Sequence, residues 1–304
     1  MDVIKHRTRS DDFKILTSLY NRGDLSDNEK CNYLNAEKGL EGEQNFDHLL
    51  SHKLSEHECL ILHDLLLEYK NSFFQIDTLV LTPQKMYNLD VKYSEGVYYI
   101  DDDHWYFDSG KEIKNPVHQL NRCETLFRQW LSAHNITIPV ESYLIFNNPE
   151  FTLFQAPRDL PIILPTQLNM FLKKFVKTTS KITNKHREIA NLIHANHSTK
   201  YPFNKLPSYT YDQLKKGVIC AKCNSFQDAL SSRKLVCKTC GTVEKVEVAL
   251  MRSVEEYNLL FPDRKITVGA IQEWCKIIKS RKAVRVALQR NMRMVRFGKH
   301  SYYE

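Results

Sequence analysis

The chain has 304 residues, 42% of them hydrophobic, and carries 43 Lys and Arg against 36 Asp and Glu. This length predicts two or three compact domains with cores of their own. No stretch approaches the roughly eighteen apolar residues of a membrane helix, and the first residues lack an apolar signal segment. The composition therefore excludes an integral membrane protein and predicts a cytoplasmic one.

The net charge of +7 hides an unequal distribution. Residues 1–164 contain 16 Lys and Arg against 26 Asp and Glu, whereas residues 165–304 contain 27 against 10. A basic half can neutralise phosphates and release counterions, so we expect nucleic acid, above all DNA, as the partner. The alternative is a set of basic helical faces that are merely solvated.

The N-terminal part shows helical periodicity. Residues 8–36 place Phe13, Leu16, Leu19 and Tyr20 at helical spacing, and Gly23-Asp24 breaks the run. We expect residues 1–36 to form a helical extension whose short helices pack on the domain that follows.

Two β-rich segments then predict a hairpin. Residues 73–81 are rich in β-branched and aromatic residues, and residues 86–93 form a second such run. If the loop is centred between Pro83 and Gln84, Asp77 lies directly opposite Asp90. Because side chains alternate along a strand, Lys92 projects to the same side as Asp90.

This acid pair with an adjacent lysine points to a metal centre. Carboxylates that face each other cannot both stay ionised cheaply unless a cation compensates them. Oxygen ligands on a sheet suit Mg²⁺ or Mn²⁺, which can activate a water beside a phosphodiester. The alternative is that Asp77 and Asp90 are ordinary solvated acids on an exposed sheet face.

The following elements complete an α/β domain. We expect a first strand at residues 60–67, a hairpin of residues 97–100 and 104–108, and a helix at residues 119–133. Strands at residues 143–146 and 151–154 are expected to complete the sheet.

Four ordered motifs connect the hairpin to a known family. They are Gly39-x-x-Gly42-Glu43 opening a helix, Gln75-Ile76-Asp77 in one strand, Asn88-Leu89-Asp90-Val91-Lys92 in the next, and Asn115-Pro116-x-x-Gln119 starting another helix. With these motifs, residues 37–155 resemble the nuclease-related domain (NERD) family, itself similar to the PD-(D/E)xK nuclease superfamily.

The resemblance implies which residues carry the chemistry. The main metal ligands would be Asp77, Asp90 and the Val91 carbonyl. Glu43 would help to hold metal or water, and Lys92 would act on the nucleophile. Asp90 stands where the family more often has Glu, which shortens the reach of this ligand. The implied catalytic set is Glu43, Asp77, Asp90, Lys92 and, as a supporting polar residue, Gln119.

A cysteine pattern downstream predicts a zinc ribbon. Cys220-x-x-Cys223 and Cys237-x-x-Cys240-Gly241 are separated by thirteen residues. Two such turns present four thiolates to one tetrahedral ion. A closed Cys₄ site leaves no position for substrate, so this Zn²⁺ would be structural. The alternative is a pair of disulfides, which an oxidising compartment would require.

The C-terminal forty residues are basic and predict two helices. Thr267 could cap the first and residues 279–281 could turn the chain, before a basic tail at residues 290–299. A helix-turn-helix that reads DNA and a small helical hairpin packed on the ribbon both fit this pattern. The candidate DNA-binding residues are Arg281, Lys282, Arg285, Arg290 and Arg293.

These observations predict a restriction-endonuclease-like mixed sheet flanked by helices, within an α/β (α+β) fold. The expected segments are an N-terminal helical extension (1–36), the nuclease-related domain (37–164), a basic helical connector (165–216), the zinc ribbon (217–250) and a basic helical C-terminal domain (251–304). We expect a Mg²⁺- or Mn²⁺-dependent DNA endonuclease. The alternative is a non-catalytic DNA-binding or regulatory protein on a nuclease-like scaffold. A second copy of the chain is a further candidate partner, because concerted cutting of both strands needs two centres.

Overall fold

The computed structural model describes residues 1–23, 25–175, 181–199, 206–298 and 301–304. Asp24 of the predicted helix break, parts of the predicted connector and the end of the basic tail lie outside the described residues. No helix in these ranges is both long and apolar enough to cross a membrane.

Helices and strands are mixed along the chain. The helices are α1 Asp11–Arg22, α2 Asp27–Leu54, α3 Pro116–Ala133, α4 Leu168–Leu172, α5 Asn184–Ala195, α6 Val246–Leu260, α7 Val268–Cys275 and α8 Arg281–Asn291. The strands are β1 Asp2–Lys5, β2 Leu60–Tyr69, β3 Ser72–Leu81, β4 Met86–Lys92, β5 Gly96–Asp101, β6 His104–Phe107, β7 Glu112–Ile113, β8 Val140–Phe146, β9 Phe151–Phe154, β10 Ile162–Ile163, β11 Asp228–Ala229, β12 Lys234–Val236, β13 Val243–Lys245, β14 Met294–Val295 and β15 Tyr302–Tyr303.

The chain divides into two compact units. Unit 1 comprises Met1–Thr8 and Leu34–Phe203, and unit 2 comprises Arg9–Tyr33 and Asn204–Glu304. Residues 9–33 therefore group with the C-terminal part of the chain and not with the domain that follows them, contrary to the expected extension. The other predicted boundaries are finer than these two units and stay predictions.

The core of unit 1 is a six-stranded mixed sheet in the order β1-β2-β3-β4-β8-β10. The three central strands β2, β3 and β4 are antiparallel, while β4 pairs with β8 in parallel. Apolar residues of α3 and α5 cover one face, and those of α2 and α4 cover the other. The predicted mixed sheet flanked by helices is thus confirmed.

A separate four-stranded sheet, in the order β7-β6-β5-β9, also belongs to unit 1. The predicted hairpin of residues 97–108 forms its centre, with Asp101 paired to His104. The expectation that residues 151–154 complete the main sheet is wrong, because β9 pairs in parallel with β5. The buried face of the four-stranded sheet packs around Trp105 and Phe146.

Two segments of unit 1 differ from the predictions. The N-terminus contributes β1, which pairs in parallel with β2 at the sheet edge. Residues 184–195, expected within a connector, form α5 and bury Ile189, Ala190 and Ile193 in the core beneath β2.

Helix α2 begins at Asp27, so the expected helix start at Gly39 is wrong. Gly42 lies in the helix interior, where an added Cβ would be 2.2 Å from the Cβ of Tyr93. The glycine is needed for the close approach of α2 to the segment after β4.

Unit 2 combines α1, a three-stranded ribbon of β11, β12 and β13, and three packed helices. The predicted cap is confirmed, since the Thr267 side chain accepts a hydrogen bond from the backbone N–H of Ala270 at the start of α7. Ser280 caps α8 in the same way. A hairpin of β14 and β15 follows α8, and Tyr303 also bridges to Ile266.

Candidate active site and metal centre

The main sheet opens between β3 and β4. Their antiparallel pairing runs from Leu81 opposite Met86 to Thr78 opposite Leu89 and stops there. Beyond that point β3 continues to pair only with β2, and β4 only with β8, up to Lys92. We call the opening between Asp77 and residues 90–92 the fork. The observed pairs have the predicted register, but the pairing ends one pair before Asp77 and Asp90.

A break in side-chain alternation accompanies the fork. On β3, Ile76 and Leu79 both enter the core beneath α3 although they are three residues apart, and Leu62 and Leu65 do the same on β2. Asp64, between the latter two, has a left-handed backbone with φ of 52°. The regular alternation of side chains between the two faces of the sheet is therefore interrupted in β2 and β3 at the level of the fork.

Asp77 is held in the fork by the backbone of β4. The backbone N–H of Val91 donates a hydrogen bond of 2.9 Å to Asp77 Oδ2. In an extended strand the N–H and C=O of one residue point to the same side, so the Val91 carbonyl also faces the fork. The family resemblance implied this carbonyl as a metal ligand, and that role stays a prediction.

Asp90 and Lys92 form the other side of the fork. Lys92 Nζ lies 2.6 Å from Asp90 Oδ1, and Asp90 is only 8% exposed. Apart from this ion pair, Asp90 Oδ1 accepts no hydrogen bond from the described residues. Leu89 and Val91 enter the core on the opposite face, as the alternation predicted. The fork therefore contains a buried carboxylate oxygen with spare capacity for a cation.

The charged groups at the fork shift one another's pKa values. Burial, followed by the charge of Asp90, raises the pKa of Asp77 to about 6. Burial alone would lower the pKa of Lys92, but the charges of Asp90 and Asp77 outweigh it and raise that pKa. The two carboxylates and the ammonium group thus share one electrostatic environment.

Glu43 reaches the same region from α2, although its carboxylate is engaged by another residue. Arg7 Nη1 lies 2.5 Å from Glu43 Oε2. Burial, followed by the charge of Asp77, raises the pKa of Glu43, while the charge of Arg7 acts in the opposite direction. Glu43 is therefore close enough for the charge of Asp77 to affect its pKa, while one of its carboxylate oxygens contacts Arg7.

Arg7 is a residue of this site that the sequence did not reveal. Its guanidinium donates to both carboxylate oxygens of Asp47, at 2.8 and 3.2 Å, and to the Asp77 carbonyl at 2.8 Å. It also reaches the Thr78 hydroxyl. Asp47 in turn lies 3.0 Å from His63 Nδ1. Arg7 is brought here by β1, whose four residues carry no strand signal strong enough to predict this contact.

The donor set fits a hard divalent ion with an incomplete protein shell. Within the described ranges, only four cysteines form a group of three or more His, Cys, Asp or Glu ligand atoms mutually within 4.8 Å. Glu43, Asp77 and Asp90 therefore do not form a closed cage. Two carboxylates with a backbone carbonyl suit Mg²⁺ or Mn²⁺, because such ions keep several waters as ligands.

Gln119 does not join the fork. It lies in the first turn of α3, which begins at the Asn115-Pro116 motif as expected, and the Asn115 side chain caps the helix. Its side chain is exposed and makes no hydrogen bond with the described residues. The buried face of this helix is formed by its neighbours Val117 and Leu120.

The comparison with protein families concerns the segment that contains the fork. Residues 38–147 match the family model of the nuclease-related domain. This segment is a nuclease-related domain. The match covers about a third of the chain and contains Glu43, Asp77, Asp90, Lys92 and Gln119. No curated protein and no solved structure matches the chain.

Outside the nuclease-related domain, Cys220, Cys223, Cys237 and Cys240 form a four-cysteine cluster. Their Sγ atoms lie 3.7 Å apart in the pair of Cys220 and Cys240, and 3.4 Å apart in the pair of Cys223 and Cys237. A tetrahedral ion with metal–sulfur bonds of about 2.3 Å places its sulfurs about 3.8 Å apart. The cluster therefore fits a tetrahedral metal, and no disulfide joins these cysteines.

Contacts with Thr242 favour the thiolate form of Cys240. The hydroxyl of Thr242 lies 3.2 Å from the Cys240 Sγ, and this contact, with the Thr242 backbone, lowers the pKa of Cys240 to about 6. A thiolate is the form that binds metal. The predicted ribbon has three strands, with β12 between β11 and β13.

The five candidate DNA-binding residues are all exposed, but they differ in their partners. Arg290 pairs with Glu247 at 3.5 Å, and Arg293 pairs with Glu304. The other three have no acidic partner among the described residues, and they are Arg281, Lys282 and Arg285.

Proposed function

We propose that this chain is a divalent-metal-dependent nuclease that cleaves internal phosphodiester bonds of DNA. The observation that supports the proposal is the fork, which brings Asp77, Asp90 and Lys92 into one coupled environment inside a nuclease-related domain. A hard cation held by such acids can activate a water for phosphodiester hydrolysis.

Asp77, Asp90 and the Val91 carbonyl would hold Mg²⁺ or Mn²⁺ in the fork. An ion bound there supplies a Lewis acid that polarises the phosphoryl oxygen and makes a water acidic. Glu43 would orient water through the oxygen that Arg7 leaves free.

Lys92 would act on the nucleophile. Its ammonium group lies against Asp90, and its raised pKa keeps it protonated at neutral pH. A protonated lysine can donate a hydrogen bond to the attacking water or to a phosphate oxygen, and so stabilise the charge that develops in the transition state. Gln119 is exposed enough to contact substrate as a supporting polar group.

The second unit would supply affinity. The acidic N-terminal half repels a polyanion, whereas the half that contains the ribbon and α8 carries 27 Lys and Arg against 10 Asp and Glu. Basic groups there can bind phosphates and raise the local concentration of DNA. We propose that the four-cysteine cluster binds one structural Zn²⁺ that stabilises this region.

A second candidate function is that of a DNA-binding or regulatory protein without catalysis. It is favoured by the internal pairing at the fork, where Lys92 compensates Asp90 and Arg7 compensates Glu43 without any added ion. A scaffold that had lost its chemistry could keep such pairs, because they neutralise buried charge.

Digestion of duplex DNA, single-stranded DNA and RNA by the full chain, with and without Mg²⁺ or Mn²⁺, separates these functions. We expect metal-dependent cleavage of DNA that disappears in Lys92→Ala and in Asp77→Ala. Lys85→Ala is the matched control, because this lysine directly precedes β4 but pairs with Glu141. Cleavage that persists in both fork variants would exclude the proposal, and salt-sensitive binding without any cleavage would favour the second candidate. Preferential digestion of RNA would correct the substrate.

A further inference from the structure

Unit 2 exposes a run of cations around the turn between α7 and α8. These side chains are solvent-exposed and have no ion-pair partner among the described residues. They are Lys276, Lys279, Arg281, Lys282 and Arg285. Uncompensated charges concentrated within ten residues create a positive potential that neighbouring acids do not cancel.

The basic residues that follow behave differently. Arg290 lies 3.5 Å from Glu247 of α6, and Arg293 pairs with Glu304. Both pairs are exposed. The free positive charge of α8 is therefore confined to its first half and to the turn that precedes it.

Helix α8, which carries three of these cations, packs against the rest of unit 2 through its opposite face. Val284, Ala287 and Leu288 of α8 are buried against α6 and α7 around Trp274. The residues on the open face are Arg281, Lys282, Arg285 and Gln289. Arg285 and Gln289 are four residues apart, so their side chains are neighbours on that face.

We propose that this surface binds B-form duplex DNA with α8 in the major groove. The inference rests on the proposed function in one respect, namely that DNA is the substrate. Arg285 and Gln289 would read base edges, because Arg pairs with guanine and Gln with adenine through two hydrogen bonds each. Lys276, Lys279 and the first turn of α8 would bind the phosphates on either side.

Duplex DNA fits this surface better than other nucleic acids. The major groove of an RNA helix is too deep and narrow for a helix to enter, whereas that of B-form DNA accepts one. Single strands are bound mainly by stacking bases on aromatic rings, and residues 276–291 contain no aromatic residue.

Binding without added Mg²⁺ or Mn²⁺ tests the proposal, since the DNA stays intact whether or not the chain is a nuclease. The full chain is mixed with a pool of random-sequence duplexes, the bound fraction is sequenced, and affinities for an enriched duplex are measured by fluorescence anisotropy. We expect enriched guanine and adenine positions. Arg285→Ala should weaken binding roughly fivefold or more and relax the preference at guanine. Gln289→Ala should relax it at adenine and leave the salt dependence unchanged.

Lys14→Ala is the matched control, because it removes one exposed positive charge from unit 2 at a residue that already has a partner, Asp11, at 2.8 Å. We expect its affinity to stay within a factor of about two of the wild type. Replacing Arg281 and Lys282 together by Ala should lower the salt slope by about one for each phosphate that the variant no longer neutralises. Circular dichroism and metal content verify that each variant is folded.

The proposal is overturned if Arg285→Ala and Lys14→Ala lose equal affinity, if no sequence is enriched, or if the single strand or the RNA duplex of the same sequence binds more tightly. Failure of the proposed nuclease function is a different result, namely duplex binding as described here together with no cleavage when Mg²⁺ or Mn²⁺ is added.

Discussion

Arg7 forms an ion pair with Glu43 in which the guanidinium nitrogen lies 2.5 Å from the carboxylate oxygen. The Arg7 side chain is only 5% exposed, and the same group bonds to Asp47 and to the Asp77 carbonyl. The N-terminal segment is thereby tied to α2 and to the fork. These contacts hold residues 1–8 within unit 1.

Removing Arg7 should destabilise unit 1. Arg7→Met leaves two acids without their partner, and the loss of one member of a buried pair costs about 3 kcal/mol. Lys85→Met is the control, because its pair with Glu141 is partly exposed and contributes at most about 1 kcal/mol. Urea unfolding of both variants measures the difference, and equal stabilities would show that Arg7 is not a structural link.

Two glycines in α2 should respond in opposite ways to alanine. Gly42→Ala places a Cβ 2.2 Å from the Cβ of Tyr93, so the helix must shift, and we expect a loss of about 1–3 kcal/mol. Gly39 has no atom within 4 Å of its added Cβ, and Gly39→Ala should stabilise the helix by about 0.5–1 kcal/mol. Thermal unfolding of the two variants compares them, and a loss in both would contradict the packing described for α2.

Stability without divalent metal should fall as the pH rises through the range in which Asp77 ionises. Its folded pKa, raised to about 6 by burial and then by Asp90, exceeds the value of about 3.9 in an unfolded chain. The protonated form is therefore favoured by folding. The contribution of Asp77 is fully present below about pH 4 and is lost as the pH rises through about 6.

Asp77→Asn cannot ionise and should lose this part of the fall. We expect the free energy of unfolding of the wild type to decrease, relative to that of the variant, as the pH is raised from about 4 to about 7. Asp101→Asn changes an exposed acid on β5 and should follow the wild type. Parallel curves for the wild type and Asp77→Asn would show that Asp77 is not buried as a coupled acid.

Purified protein should contain one equivalent of zinc per chain. Cys223→Ser or Cys240→Ser removes a ligand from the cluster, and we expect loss of the metal and local unfolding of the ribbon, because structural zinc contributes directly to folding. Cys31→Ser changes an exposed cysteine outside the cluster and should retain the metal. Metal analysis and a protease digest give the answer, and intact thiols without zinc would contradict the assignment.

Much of the site follows from local patterns in the sequence. The register of β3 against β4 could be predicted because a short hairpin fixes pairing through its loop. The cap at Thr267 could be predicted because it depends on neighbouring residues only. The cysteine spacing predicted the four-cysteine cluster.

The parts that could not be predicted depend on distant contacts. β1 is a four-residue strand whose formation needs the edge of β2, and it alone brings Arg7 to Glu43. The helical pattern of residues 184–195 did not show that they pack beneath β2. The family motif Gly39-x-x-Gly42-Glu43 was expected to open a helix, but Gly42 lies inside α2, where the close approach of Tyr93 requires a glycine.

The central claim is that the fork between Asp77 and Asp90 binds a hard divalent ion. Titration of the full chain with Mn²⁺, followed by electron paramagnetic resonance, counts bound and free ions directly. We predict a bound Mn²⁺ in the wild type and in Asp101→Asn that is lost in Asp77→Asn and in Asp90→Asn. Binding that is unchanged in the two fork variants, or absent from the folded wild type, would contradict the account.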